Sequence, residues 1–256
     1  MAAPIDKLLR RPGRAPVRSG WRDLLRHLTG GADPSGRSAF SPTGTEIVRR
    51  PPRGKVLVLA PHPDDEIIGP GGTLAAHRDN GDPVTVVYLT DGGGPPDAAD
   101  RAGLIATRRR EAEAIGRLLG FEQIFWTHPD TRLSPAAAAS DLAALLETVG
   151  PDRIYLPSFF EHHYDHYAAN ALLASVLDAA DVSVAGFAVW NDQPIGNRVV
   201  DIGATLARKV EAMELYATPL AYTDFVRLIR CRATLHHLLH VDSRRAETGG
   251  AAEAFL

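Results

Sequence analysis

The feature that most constrains the fold is an apolar run that ends in a histidine and three acids. Residues 56–60 read VLVLA, and the chain continues as PHPDDE over residues 61–66. An uninterrupted apolar run of this length is typical of a strand buried on both faces. Adjacent carboxylates at the edge of an apolar core each cost roughly several kcal/mol when they are unpaired. The charge at the end of this strand therefore predicts a bound cation.

The chain beyond residue 50 alternates between apolar runs and longer helical patterns. We predict strands at 55–59, 84–90, 123–126, 153–156 and 183–190, and helices at 66–79, 102–119, 136–149, 165–179, 204–216 and 223–240. This alternation indicates an α/β fold, a Rossmann-like, mainly parallel, doubly wound sheet with helices on both faces.

The domain organisation follows from a change in composition near residue 50. Residues 1–50 form a basic extension that contains several prolines and glycines, and residues 51–256 are long enough for one catalytic domain. Within the extension, residues 21–28 can form one apolar helix face that packs on the domain or on a partner. A flexible arm is the alternative.

The overall composition is that of an ordinary enzyme. A net charge of −3 gives no reason to expect nucleic acid as a partner, and a single cysteine, Cys231, excludes an intrachain disulfide. No apolar run approaches the roughly twenty residues that a membrane-spanning helix requires. We expect a cytoplasmic protein without a transmembrane segment, and a homo-oligomer is compatible with the sequence.

A second polar cluster, EHHYDH at residues 161–166, also follows a short apolar run. The ligand crevice of an open α/β sheet lies outside the carboxyl ends of its strands, so the two clusters can meet there. His62 and Asp65 can converge on the turn after the first strand, and one histidine of the second cluster would complete a His/His/Asp set. Such a set leaves a position open for water, as in catalytic zinc sites. The alternatives are a helix-capping role for the acids and a solvated surface for the second cluster.

These motifs resemble those of the PIG-L / LmbE-like family of zinc-dependent N-deacetylases. The resemblance is carried by APHPDDE at 60–66 with Gly71-Gly72, and by HYDH at 163–166. It extends through LTDG at 89–92 and the helix at 108–120 to AEAF at 252–255, and so covers residues 54–256. Two departures, Tyr164 in place of proline and the segment 216–220, border the substrate pocket in that family.

The resemblance implies roles for individual residues. His62, Asp65 and His166 match the zinc ligands, and Asp64 matches the general base that takes a proton from metal-activated water. His163 matches the residue that, as an imidazolium, stabilises the oxyanion and protonates the leaving amine.

Three further residues are assigned supporting roles. Asp165 is expected to orient one of the two histidines through its other ring nitrogen, and the choice between them is open. Arg108 and Asp130 are expected to contact substrate, whereas Arg109 and Arg110 suit a solvated helix face. The separate histidine group at 236, 237 and 240 suits surface or packing positions better than a second metal site.

The resemblance implies a zinc-dependent hydrolase that removes an N-acetyl or N-acyl group from an amino sugar in a glycoside or secondary metabolite. The cofactor is Zn²⁺ or another divalent metal such as Fe²⁺, and the partner is a small N-acylated sugar or metabolite. One alternative is an amidase for another N-acyl or thiol-conjugate substrate, and another is a metal-containing binding protein without turnover. A dinucleotide-binding protein is disfavoured, because acids fill the turn where a pyrophosphate needs glycines.

Overall fold

The computed structural model describes residues 45–177, 182–192, 196–241 and 250–256. The strands are β1 (Glu46–Val48), β2 (Val56–Ala60), β3 (Val84–Thr90), β4 (Glu122–His128), β5 (Arg153–Pro157), β6 (Ser183–Phe187), β7 (Arg198–Asp201) and β8 (Ala252–Phe255). The α-helices are α1 (Asp65–Ile68), α2 (Gly71–Asp79), α3 (Arg101–Leu119), α4 (Pro135–Val149), α5 (Tyr164–Val176), α6 (Leu206–Glu214), α7 (Ala217–Leu220) and α8 (Phe225–His236). A π-helical turn, His237–Val241, continues α8.

Within the described ranges, the central sheet has five strands in the order β4-β3-β2-β5-β6, and every pair is parallel. Strands are added outward from β2 in one direction and from β5 in the other, so the winding reverses between these two strands. A crevice forms at the carboxyl ends of the strands at such a reversal. The two polar clusters follow β2 and β5 directly, and the topology therefore brings them together.

Helices cover both faces of this sheet, as predicted. Val56 and Val58 of β2 belong to a core that includes residues of α1, α2, α3, α6 and α8. Leu57 and Leu59 point the other way, into a core with α4 and α5. This two-sided burial explains why β2 reads as a continuous apolar run rather than an alternating one.

The predicted helix at 66–79 is divided into α1 and α2 at Gly69-Pro70. Pro70 has no N–H with which to continue the helical hydrogen bonds of α1. At Gly69, an added Cβ would lie 2.1 Å from Cδ2 of Phe187, so the close approach of β6 admits only glycine. Because of this break, the short helix α1, which contains Asp65 and Glu66, is separate from the longer helix α2.

A second sheet in the described ranges consists of β1, β7 and β8, which the sequence did not predict. β1 pairs in parallel with β7, and β7 pairs antiparallel with β8. Each strand has only three or four residues, too few to show a hydrophobic period. β1 lies ahead of the boundary predicted at residue 51, and the predicted helix at 21–28 lies outside the described residues.

The small sheet also supports the loop after β2. The carboxylate of Glu253 in β8 accepts hydrogen bonds from the backbone N–H groups of Gly72 (2.9 Å) and Thr73 (2.8 Å) at the start of α2. Lys209 pairs with the same carboxylate at 2.5 Å and is itself buried. Glu253 thereby caps α2 from a distant part of the chain, which no local sequence pattern indicates.

The remaining boundaries differ modestly from the prediction. The strand at 183–190 ends at Phe187, the helix at 204–216 is α6 followed by the short α7, and the helix at 223–240 becomes π-helical after His236. The part of the helix at 165–179 beyond residue 177 lies outside the described ranges. In those ranges, no helix has both the length and the apolar character that crossing a membrane requires.

Candidate active site

The loop after β2 folds back on itself to present His62, Asp64 and Asp65. The Oδ2 atom of Asp65 accepts a hydrogen bond from the backbone N–H of His62 at 2.9 Å, which fixes the spacing of the two side chains. Asp64 has φ = 126°, a conformation that costs a non-glycine residue on the order of 1–3 kcal/mol. A strained position held in this way is characteristic of functional sites, where the surrounding structure imposes it.

The three predicted metal ligands converge. His62 Nδ1 and His166 Nε2 each lie 3.3 Å from the same atom, Oδ2 of Asp65. Nitrogen atoms of His62, His163 and His166 also lie within 4.8 Å of one another. Two imidazoles and a carboxylate that share so small a volume form a donor set that suits zinc.

The hydrogen bonding of His166 supports the same interpretation. Its side chain is fully buried, and within the described ranges its ring nitrogens have only the longer carboxylate contacts to Asp65 (3.3 Å) and Glu161 (3.4 Å), neither with the geometry of a hydrogen bond. Buried polar atoms are rarely left without a partner, and an orphaned one often marks an ion or ligand site. The residues therefore fit a divalent metal held by His62, Asp65 and His166.

Asp165 contacts His62, which answers the question that the sequence left open. Oδ2 of Asp165 lies 3.0 Å from His62 Nε2, the ring nitrogen opposite the one that faces Asp65. The Asp165 carboxylate is fixed by the backbone N–H groups of Thr131 (2.7 Å) and Leu133 (2.9 Å). A carboxylate that accepts the outer N–H of a ligand histidine fixes its tautomer and orientation. Burial acts to raise the pKa of Asp165, but the hydrogen bonds from His62 and the backbone outweigh it and lower that pKa.

Glu161 has the corresponding position behind His166, although no role was predicted for it from the sequence. Its Oε2 lies 3.4 Å from His166 Nδ1, and its two oxygens accept hydrogen bonds from the backbone N–H groups of residues 189, 190 and 191. The carboxylate therefore ties the segment after β6 to a predicted metal ligand. A signal was present in the sequence, because Glu161 opens the second cluster at the end of β5.

Asp64 stands apart from these pairings. Its side chain is buried, and no hydrogen bond to its carboxylate is made by any residue in the described ranges. Burial and the neighbouring charge of Asp65 raise its pKa well above the ordinary value, whereas Arg108 and His62 act to lower it. A carboxylate beside the metal ligands, but outside their hydrogen bonds, is free to accept a proton.

Glu66 supports the loop from beneath. Its Oε2 accepts the backbone N–H of Asp64 at 3.1 Å, and its Oε1 accepts the hydroxyls of Tyr216 (2.7 Å) and Tyr88 (3.2 Å). Burial raises the pKa of Glu66 to about 7, although the hydrogen bonds from Tyr216 and the backbone oppose this shift. Glu66 thus holds the strained backbone of Asp64 in place.

His163 lies at the N-cap of α5, with its ring centroid 4.7 Å from that of His62 and 5.0 Å from that of His166. Its Nδ1 accepts the backbone N–H of Asp165 at 3.3 Å, so in the neutral ring the proton is on Nε2. Burial, followed by the charges of His62 and His166, lowers its pKa. His163 therefore lies beside both predicted ligand histidines with Nε2 available as a donor, and its role as an imidazolium stays a prediction.

The three consecutive arginines differ in burial, and the substrate contact of Arg108 stays a prediction. Arg109 pairs with Glu113 on an exposed face of α3, and Arg110 is also exposed. Arg108 is buried, and donates hydrogen bonds to the backbone oxygen of Gly92 (3.2 Å) and the hydroxyl of Tyr222 (3.3 Å). The charge of Asp64 raises the pKa of Arg108 against the effect of burial, so Arg108 lies within electrostatic range of the predicted base. Tyr222 is a residue of this site that the sequence did not identify.

Asp130 is buried behind the site instead of being open to it. Its Oδ1 lies 3.3 Å from His62 Nε2, and its Oδ2 accepts the backbone N–H of Gly94 at 2.8 Å. Burial acts to raise its pKa, but the contact with His62 lowers it to about 2. In these contacts Asp130 supports His62 and the glycine-rich loop, and its contact with substrate stays a prediction.

The other histidine group, expected at surface or packing positions, has two buried members and one that is partly exposed. His236 is buried, and its Nε2 lies 3.1 Å from Oδ1 of Asp192. His237 is also buried, against Gly250. His240 lies 6.4 Å from His236 between ring centroids.

Comparison with known proteins identifies the family. Residues 57–177 match the PIG-L family, described as GlcNAc-PI de-N-acetylase. These residues belong to the PIG-L family. The match spans β2 through α5 and therefore includes both polar clusters of the PIG-L domain.

Named relatives align with this chain over longer stretches. A probable N-acetyl-alpha-D-glucosaminyl L-malate deacetylase 2 of Bacillus anthracis is 26% identical over 185 residues, covering 65% of this chain and 81% of the relative. The 2'-N-acetylparomamine deacetylase of Streptomyces fradiae is 27% identical over 263 residues, covering 87% of this chain and 91% of the relative. The N,N'-diacetylchitobiose deacetylase structure from Pyrococcus horikoshii superposes with a TM-score of 0.61 at 22% identity. The superposition covers 96% of this chain and 94% of that protein. The structural likeness shows that the PIG-L domain and its surroundings share that fold.

Replacing Glu161 with glutamine is expected to weaken zinc binding by the PIG-L domain roughly 10- to 100-fold, because His166 loses its carboxylate partner. Competition with a chromogenic chelator measures this affinity. The matched control is Glu113→Gln, which neutralises an exposed carboxylate on α3 and should leave zinc affinity unchanged. Equal zinc affinity in Glu161→Gln and the parent would contradict a supporting role for Glu161.

Replacing Asp64 with glycine is expected to give a more stable metal-free protein than replacing it with alanine, by about 1 kcal/mol, because only glycine tolerates this φ without strain. Urea unfolding in the presence of a chelator measures the difference. At Glu113, inside α3, the glycine variant should instead be less stable than the alanine variant, since glycine costs about 1 kcal/mol relative to alanine in a helix. A glycine variant no more stable than the alanine variant at position 64 would argue against backbone strain there.

Proposed function

We propose that this protein is a zinc-dependent hydrolase that removes the N-acetyl group from an amino sugar in a glycoside or secondary metabolite. The family description and the names of two relatives, both deacetylases of N-acetylated amino sugars, support this proposal. The donor set of His62, Asp65 and His166 supports the choice of metal. Among other divalent metals, Fe²⁺ is the alternative.

The observation that carries the proposal is the state of Asp64. A binding protein that only retained a metal would have no use for a buried, strained carboxylate that is left out of the hydrogen-bond network. A hydrolase needs such a group, because the attacking water must lose a proton as it adds to the amide carbon. Asp64 therefore favours a catalyst over a binding protein without turnover.

When bound, zinc would polarise the acetamide carbonyl and the attacking water and would lower the pKa of Asp64. The Asp64 carboxylate accepts the proton that the water loses. The Nε2–H of His163 donates to the carbonyl oxygen as negative charge develops on it. As the C–N bond breaks, the nitrogen takes up the proton that Asp64 accepted and leaves as a free amine, and the acyl group leaves as acetate.

Arg108 assists without entering the reaction. Its buried guanidinium lies within electrostatic range of Asp64 and favours the charged form of that carboxylate. Its hydrogen bond to Gly92 ties α3 to the loop after β3. Gly92 has φ = 65°, and an added Cβ there would lie 2.9 Å from Cδ of Pro63, so the glycine lets this loop pack directly against the predicted metal-binding loop.

The proposal is tested by incubating the zinc-loaded protein with a panel of N-acetylated amino sugars and their glycosides. We expect equal amounts of acetate and free amine, measured by mass spectrometry. N-propionyl sugars and thiol conjugates with an N-acetyl group test the alternative amidase. Loss of only a different acyl group would replace this proposal with the amidase, and zinc binding without any product would favour a binding protein.

A further inference from the structure

Two aromatic side chains, Tyr222 and Trp190, remain exposed beside the candidate active site, with 58% and 41% of their surface accessible. Both pack against the same buried ring, that of Phe225. The ring centroids are 6.1 Å apart for Tyr222 and 5.5 Å apart for Trp190, and both contacts are edge-to-face. Two exposed rings that share one buried support are held in fixed positions relative to each other.

Tyr222 is connected to the candidate active site through Arg108. Its hydroxyl accepts a hydrogen bond from Arg108 at 3.3 Å, and Nη1 of Arg108 lies 3.9 Å from Oδ2 of Asp130, which contacts His62. Accepting from Arg108 leaves the phenolic proton available, because no residue in the described ranges accepts it. Tyr222 thus offers a hydrogen-bond donor and an open ring at the edge of the site.

Trp190 is connected to the predicted metal ligands through Glu161. Its backbone N–H donates to both oxygens of Glu161, at 3.2 and 3.0 Å, and Glu161 contacts His166. Trp190 also lies just after β6, on the carboxyl side of the sheet, where the crevice is. Both exposed rings are therefore attached to the site from different elements.

We propose that Tyr222 and Trp190 form a subsite for the group that is attached to the acetylated amino sugar. This inference rests on the proposed function and extends it: the substrate is a glycoside whose neighbouring group presents a flat apolar face. Such a face is offered by an aromatic aglycone or by the C–H side of a second pyranose ring. Exposed aromatic rings attract both, because the ring face carries negative charge density and buries apolar area on contact.

The structure supports this assignment over a purely structural role for the two rings. Phe225 already fills the buried position beneath them, so neither exposed face is needed to complete the core. Exposed aromatic side chains beside a polar crevice are typical of ligand sites, where they supply contact area with little loss of side-chain entropy. The free hydroxyl proton of Tyr222 adds a polar contact for a sugar oxygen.

The test measures binding of unreactive product sugars to the zinc-loaded full chain by calorimetry. Phenyl β-glucosaminide is expected to bind roughly tenfold more tightly than glucosamine. Trp190→Ala and Tyr222→Ala should each reduce this ratio toward one, and Trp190→Phe and Tyr222→Phe, which retain a ring, should preserve most of it. The control is Leu118→Ala, a 40% exposed apolar residue near the far end of α3, which should keep the full ratio.

A third ligand, the glucosamine disaccharide, distinguishes an aromatic aglycone from a second pyranose ring. If the disaccharide gains more affinity over glucosamine than the phenyl glycoside does, the subsite binds a second pyranose. Equal affinities for all three ligands, or a ratio unaffected by both alanine variants, would overturn the subsite. Acetate release from the N-acetylated forms separates this result from the proposed function. If the phenyl glycoside binds more tightly than glucosamine but no acetate is released, only the deacetylase proposal is refuted. If acetate is released but the ligands bind with equal affinity, only the subsite is refuted.

Discussion

Replacing Asp64 with asparagine is expected to lower kcat for acetate release by about 10²- to 10⁴-fold, the typical contribution of a general base. Asparagine has nearly the same shape as aspartate but cannot accept the proton of the attacking water. Bound zinc should be retained, because the Asp64 side chain makes none of the contacts that join His62, Asp65 and His166. Steady-state kinetics and metal analysis of the same preparation measure both quantities.

Asp165→Asn is the matched control for this variant, because it makes the same chemical change in another buried carboxylate of the site. Asp165 holds His62 at 3.0 Å, so its loss should weaken zinc affinity and impair catalysis through the metal. Excess zinc should restore much of the activity of Asp165→Asn and none of the activity of Asp64→Asn. Full activity of Asp64→Asn would show that another group is the base.

Replacing His166 with alanine is expected to remove stoichiometric zinc binding and, with it, detectable acetate release. His166 is fully buried and supplies one of the two imidazoles that face Asp65. Without it, only one histidine and one carboxylate of the predicted set remain, too few for a zinc site of ordinary affinity. Metal analysis after dialysis, together with the activity assay, measures the outcome.

His236→Ala provides the control for loss of a buried imidazole. His236 is buried to a similar extent but pairs with Asp192, away from the predicted ligands. Both variants leave a cavity and should lower the free energy of unfolding, whereas only His166→Ala should lose zinc. Zinc bound at parental affinity by His166→Ala would exclude His166 as a ligand.

The long elements of the central sheet were predictable because their residues carry strong local signals. β3 was predicted to the residue, and α3 and α4 to within one residue, since caps mark their ends. Asp100 and Ser134 accept backbone N–H groups at the starts of these helices, and Gly120 and Gly150 end them in the left-handed conformation. The small sheet was missed because three- and four-residue strands carry no such signals.

The chemistry of the site was predictable as a set of residue types, and its pairings were not. PHPDDE and HYDH place the predicted ligands, base and oxyanion donor at two strand ends, and local sequence is enough for that placement. The partnership of Asp165 with His62, and of Glu161 with His166, depends on how β2 and β5 lie side by side. The inward position of Asp130 likewise depends on the packing of β4 against β3.

The sequence by itself determined that acids and histidines stand at the ends of buried strands, because the spacing of apolar and polar residues is a local property. Only the tertiary structure decided which carboxylate holds which imidazole and which one remains unpaired. Electrostatic and hydrogen-bond partners are set by distances of about 3 Å between residues far apart in the chain. Asp64 and Asp65 are neighbours in sequence, yet Asp65 lies between the two histidines and Asp64, on a strained backbone, remains free to take a proton.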